Sequence, residues 1–302
     1  MNLEELFIRL GYTRLDYKQI VENYSLRHFK YETFYKNIVL NYQFLLDVGY
    51  TKEEIIKITK LSPKIYSYSV DNLKQKIEDI INLGYTKEEV LKMTKLFPGI
   101  YGYSMESIKQ KIEDMISLGY TKEEVLKMTK LFPNIYGYSI NNIKQKIEDM
   151  INLGYTKKEV LKITNSLPNI YSYSIDNMKQ KIEGIINFGY TKEQVLKMTI
   201  SLPTIFGYTL QSMKQKLEFY DFINIHEMPI LSPKFLMQSV ALSYARYMFL
   251  ATKGIDISMS NYRMLFYGNK QFEKQHNVTK QHLLKLYNFE DYERERVNER
   301  VI

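Results

Sequence analysis

Lysine returns at fixed places in this 302-residue chain. Lys57, Lys92, Lys127, Lys162 and Lys197 stand 35 residues apart, and so do Lys74, Lys109, Lys144, Lys179 and Lys214. Two more sets begin at Lys52 and Lys76 and run through five copies each, whereas Lys60, Lys95 and Lys130 give way to Asn165 and Ile200. Like charges stacked at a constant interval repel one another. A polyanion lying along them offsets that repulsion, because each phosphate that a lysine neutralises releases condensed counterions. The chemistry of such rows is therefore the holding of phosphates. A blander reading stays open: near-identical repeats turn any charge into a row, and Glu88 four before Lys92 or Lys109 four before Glu113 can pair within a helix. An acidic row, Glu78, Glu113, Glu148, Glu183 and Glu218, runs in parallel.

Nothing comparable points to catalysis. The chain has no cysteine, which excludes thiolate chemistry, and its four histidines, His28, His226, His276 and His282, do not pair with carboxylates at metal-binding spacing. No Gly-rich phosphate loop or nucleophile motif occurs. The expectation is a protein that is not an enzyme, with no cofactor, no metal and no small-molecule substrate. His276 and His282 read as surface residues of a C-terminal cap. Tyr85, Tyr101 and Tyr103 recur with the same period. Stacking on bases is one use for them, but Tyr101 and Tyr103 flank a turn where units meet, and Phe206 stands at the place of Tyr101, so packing is the better reading. The short polar residues that vary between copies, Lys64, Gly99, Asn134, Asn169 and Thr204 after the proline, read as drift at solvated positions rather than a base code.

The period is fixed by punctuation. Gly49, Gly84, Gly119, Gly154 and Gly189 keep it, and so do Pro63, Pro98, Pro133, Pro168 and Pro203, five of the seven prolines. A period of this length builds a solenoid, in which each unit buries its apolar face only against its neighbours. Within one unit, Thr86 and Glu89 form a capping box. Val90, Leu91, Met93 and Leu96 supply the apolar residues of a first helix that ends near Leu96 or Phe97, since Pro98 disfavours continuation. Gly99 to Tyr103 is a corner. Ser104 caps a second helix, Met105 to Leu118, with Ile108, Ile112, Met115 and Ile116 as its stripe, and Gly119 closes it.

The strings LGYTKEEV and LFPGIYGYS, with their copies LGYTKKEVLKITNSLPNIYSYS and FGYTKEQVLKMTISLPTIFGYT, resemble the repeat of the mTERF (mitochondrial transcription termination factor) family from Gly49 to about Tyr220. The resemblance implies an all-α, curved solenoid, right- or left-handed, whose basic concave groove binds nucleic acid, in most members double-stranded DNA and in some RNA, with a role in transcription regulation or termination. Tetratricopeptide repeats are excluded because there is no tryptophan.

About seven such units fit the length. Residues 1–48 read as a degenerate capping repeat with Gly11-Tyr12-Thr13 as its opening, residues 49–224 as five regular repeats, and residues 225–302 as an irregular last repeat and a helical cap. In the cap, Leu231 to Ile255 reads as corner, helix and Gly, with Arg246 at the place of the arginine in the family's last unit. Thr279 to Phe289 reads as a further helix with Leu283, Leu284 and Leu286 on its apolar face, and the charge-alternating close from Glu290 is expected to fray. Net charge is zero over residues 1–49, +5 over 50–224 and +3 over 225–302. The phosphate-contact candidates are the Lys57 and Lys74 sets named above, with Arg246 and Arg263 in the cap; Lys76 and its copies come next. No stretch has the apolar length of a membrane span, no import segment is legible, and the Ile, Lys, Asn and Tyr usage suits an AT-rich genome, so a bacterial cytoplasm is favoured, or an organelle if the chain is processed. The expected partner is nucleic acid, double-stranded DNA ahead of RNA, bound by a monomer. The alternative is a scaffold that binds a protein or peptide and no nucleic acid.

Overall fold

Thr86 caps its helix as the sequence predicts: the hydroxyl accepts from the Glu89 amide at 3.2 Å and the Glu89 carboxylate accepts from the Thr86 amide at 2.9 Å. In this computed structural model, which describes residues 2–23, 31–290, 292 and 294, the same box recurs at Thr51, Thr121 and Thr191. The first helix runs Lys87–Leu96 and the second Met105–Ser117, the latter capped by Ser104. Between them the corner is itself helical. Pro98–Gly102 is a 3-10 turn with proline at its start, where a missing N–H costs nothing. Every regular repeat is built this way, and the described residues contain helices and turns but no strand. The chain is an all-α solenoid of helix–Pro corner–helix repeats.

Gly84 shows why the closing glycine is glycine. Its φ is +119°, a left-handed conformation that other residues resist, and a Cβ there would sit 3.2 Å from Leu126 of the following repeat.

Two compact units divide the chain: residues 1–148 with 164–171, and residues 149–163 with 172–302. In the first unit the first helices Lys52–Leu61, Lys87–Leu96 and Lys122–Leu131 pack side by side, and the second helices Val70–Asn82 and Met105–Ser117 form a parallel layer. Arg14–Asn23 packs on Lys52–Leu61 as the first helix of the degenerate repeat, and Tyr31–Val48 packs on the next second helix. In the second unit Ile175–Ile186, Leu210–Phe222 and Val240–Thr252 make the equivalent layer. Pro233 follows Pro203 by 30 residues rather than 35, and the first helix of the irregular repeat, Met228–Leu231 with Pro229 in its first turn, is only four residues long.

Hydroxyls join the repeats. Tyr50 Oη lies 2.5 Å from Thr94 Oγ1 and 3.0 Å from Tyr101 Oη, all three buried. Thr94 spends its own proton on the Val90 carbonyl, 2.9 Å away, so Tyr50 donates to Thr94 and Tyr101 donates to Tyr50. The relay recurs as Tyr12–Thr59–Tyr66, Tyr85–Thr129–Tyr136 and Tyr120–Thr164–Tyr171. In the second unit Tyr155 reaches Thr199 at 2.6 Å, and Phe206 stands where the second tyrosine would be. Burial pushes the Tyr50, Tyr85 and Tyr101 phenols up.

Some expectations are corrected. Leu96 is 58% exposed and Ile116 40%, so both lie off the apolar faces assigned to them. The last helix is shorter, Lys280–Leu286, and buries Leu283 while Leu284 and Leu286 face solvent. His276 is half-buried against Phe272, ring centres 4.5 Å apart, rather than on the surface. His28, and the close of the chain apart from residues 290, 292 and 294, lie outside the described residues.

Candidate nucleic-acid interface

The helix period decides where each lysine row goes. Val90, Met93 and Thr94 are buried, and at 3.6 residues per turn Lys92 points roughly 150° away from the centre of that face. Lys57, Lys92, Lys127, Lys162 and Lys197 are all exposed in this way. The second helix buries Ile108, Ile112 and Met115, and Lys109 sits roughly 90° round, on the flank. Lys74, Lys109, Lys144, Lys179 and Lys214 are likewise exposed. The two rows therefore stand on different helices of each repeat.

Their neighbours differ too. On the second-helix row, Lys214 lies 3.8 Å from Glu218, which is buried, while Lys179 lies 3.9 Å from Glu183, a loose, exposed pair on a polar surface of Asn, Gln, Ser and Asp. Exposed pairs of this kind contribute about 0–1 kcal/mol, so a phosphate displaces them readily. On the first-helix row, Lys197 pairs with Glu193 at 2.7 Å, whereas Lys57, Lys92 and Lys127 form no ion pair within 4.0 Å among the described residues. Each of those three instead has an exposed leucine four residues on: Leu61, Leu96 and Leu131.

Two lysine sets are structural. Lys76 Nζ donates to the Tyr103 carbonyl at 2.5 Å, Lys111 does the same to Tyr138, Lys181 to Phe206, and Lys216 to Gln238 at 2.5 Å. Each lysine thus holds the corner of the next repeat. Burial pulls Lys216 down to about 8. Lys95 pairs with Glu54 at 2.6 Å, Lys130 with Glu89 at 2.9 Å and Lys60 with Asp16, so this set ties one capping box to the following first helix. Asn165 keeps the link by donating to Glu124 at 2.9 Å. The period alone cannot separate these lysines from the exposed ones; only the helix face does.

Arg246, placed among the phosphate contacts by sequence, is 1% exposed. Its guanidinium donates to the carbonyls of Leu265 at 2.8 Å and Tyr267 at 2.7 Å, to Gln238 Oε1 at 3.2 Å and to Asn269 Oδ1 at 3.0 Å, and it stacks over Phe272 at 4.4 Å. Burial lowers its pKa to about 10, which leaves it charged at neutral pH. The arginine fastens the cap rather than facing a ligand. Arg263 is exposed on the 3-10 turn Tyr262–Phe266.

The family model named mTERF matches residues 5–153 and again residues 110–273. The chain belongs to the mTERF family. mTERF proteins are known for binding nucleic acid and are in general binding scaffolds rather than enzymes. None of the curated proteins matches the chain. Among the described residues of this mTERF chain, no group of acidic and histidine side chains is arranged to hold a metal ion, and no helix is long and apolar enough to cross a membrane.

Proposed function

We propose that this mTERF chain binds nucleic acid, double-stranded DNA ahead of RNA, by its phosphate backbone and largely without regard to sequence. The observation that supports this is the second-helix row. Lys74, Lys109, Lys144, Lys179 and Lys214 are exposed at one place in five successive repeats, on a polar surface, in a family of nucleic-acid binders. Lys162 and Lys197, the first-helix lysines of the last two regular repeats, are followed four residues on in the sequence by Ser166 and Ser201 and join the same role. Arg263 adds a contact from the cap. The protein acts as a monomer, and regulation or termination of transcription is the role this binding serves.

The test is binding of the full chain to a random DNA duplex, a single strand and an RNA hairpin across a salt series. Duplex DNA is expected to bind tightest, with affinity falling steeply as salt rises. Replacing Lys74, Lys109, Lys144, Lys179 and Lys214 by Gln should reduce the salt slope by about one for each phosphate that is no longer neutralised. Absence of binding at low salt, or an unchanged slope in the variant, overturns the proposal.

A further inference from the structure

Leu61, Leu96 and Leu131 are 61%, 58% and 58% exposed, the same position in three adjacent repeats of the first unit. The fold does not require leucine there. Ser166 and Ser201 hold the position in the next two repeats, and the helix ends alike: Phe97, after Leu96, has φ −139° and ψ 75°, and Leu202, after Ser201, has φ −136° and ψ 76°. Three leucines in water thus confer nothing on the corner they precede. Beside them stand Lys57, Lys92 and Lys127, one helical turn back and without an ion pair within 4.0 Å among the described residues. The exposed Leu231 of the irregular repeat has Glu227 at that distance instead.

We propose that this face of the first unit docks an amphipathic helix of a protein partner, with apolar residues repeating every seven and an acidic stripe along one side. The spacing fits. Packed helices lie about 8–10 Å apart, so the leucines succeed one another at that interval along the stack. Seven residues of an α-helix advance about 10.5 Å. A helix lying along the stack, across all three first helices, therefore offers one apolar side chain to each leucine over about fifteen residues. The recognition mode is a helix read through anchors on one face. The lysine row fixes its orientation and sign. Glu53, Glu88 and Glu123 are exposed one further turn away, so the acidic stripe is narrow and confined to the lysine side. The reading is independent of nucleic-acid binding, which it assigns to other residues.

The experiment is selection of displayed helical peptides, with apolar residues at seven-residue intervals and randomised flanks, against the full chain. Enriched peptides are then titrated against the parent, L61S/L96S/L131S and K57Q/K92Q/K127Q. The expected enrichment is for Asp and Glu on one flank. Binding should weaken tenfold or more in the leucine variant and severalfold in the lysine variant, where it also loses salt dependence. Melting of both variants, and duplex-DNA binding of the leucine variant, should match the parent. No enrichment, enrichment of basic flanks, or peptides that bind the leucine variant as well as the parent overturns the proposal. Binding to phosphatidylserine vesicles that the leucine variant loses, without peptide selection, overturns it in favour of a lipid surface. A dimer that dissociates in the leucine variant and resists the peptides overturns it in favour of a second copy of the chain.

Discussion

The regular repeats and the C-terminal cap solve one problem in two ways. Between the first regular repeats the fully buried links are uncharged: Tyr101, Tyr50 and Thr94 form a relay of hydroxyls, and charge stays part-exposed, in pairs such as Lys95 with Glu54 and in lysines such as Lys76 on a corner carbonyl, until Lys216 is buried at the junction with the irregular repeat. The cap concentrates its links on one buried cation, Arg246, which serves two backbone carbonyls and two side-chain amides. A hydroxyl relay carries no charge to desolvate and is complete at four successive junctions, so each copy contributes little and losing one is tolerable. A buried charge is worth keeping only while all its partners are present. The difference follows from position: a junction has an identical neighbour to share the work, and an end does not.

Arg246→Met tests the larger side of this contrast. It leaves the Tyr267 carbonyl and Asn269 Oδ1 without the guanidinium, and the Leu265 carbonyl with Gln238 Nε2 as its remaining donor, and a loss of about 3 kcal/mol is expected in urea denaturation of the full chain. Asp16→Asn probes a charged rim link at the opposite terminus. Lys60, then Thr13, holds the Asp16 carboxyl down at about 2. Its stabilising effect is therefore fully present above the ordinary carboxylate range and is lost as pH falls from about 4 to about 2. The variant should lose about 1–2 kcal/mol at neutral pH and show a flatter stability profile across that acid window. Tyr101→Phe removes the last hydroxyl of one relay. A loss of about 1 kcal/mol is expected, with the other junctions unaffected in native-state hydrogen exchange. Phe206→Tyr runs the contrast backwards by giving Tyr155 the partner its equivalents have, and a gain below about 1 kcal/mol in the same denaturation assay is expected.

Much of this architecture is legible in the chain itself. Gly84 and Pro98 with their copies mark where helices close and corners begin, and the capping box at Thr86 locates a helix start to the residue. What a period cannot convey is which face an element turns inward. Lys76 and Lys92 form equally regular rows, yet one donates to a carbonyl 27 residues ahead and the other meets water. Leu91 and Leu96 read alike as apolar, but Leu91 approaches the backbone of Gly49 while Leu96 is left outside. Thr94 does carry a signal of its junction, as a single polar residue recurring on the apolar face of every first helix. Arg246 carries none, because its carbonyl partners lie 19 and 21 residues ahead in a stretch with no repeat to interpret it.

The tyrosine relays also make the stack optically self-reporting. The chain has 27 tyrosines and no tryptophan, so its near-ultraviolet absorbance is that of phenol. Tyr12, pushed up to about 12, and Tyr50, Tyr85, Tyr120 and Tyr155, all raised by burial, resist conversion to phenolate while their junctions stay closed. An alkaline titration followed by absorbance thus distinguishes a zipped array from one that has opened at a single seam, with no label attached.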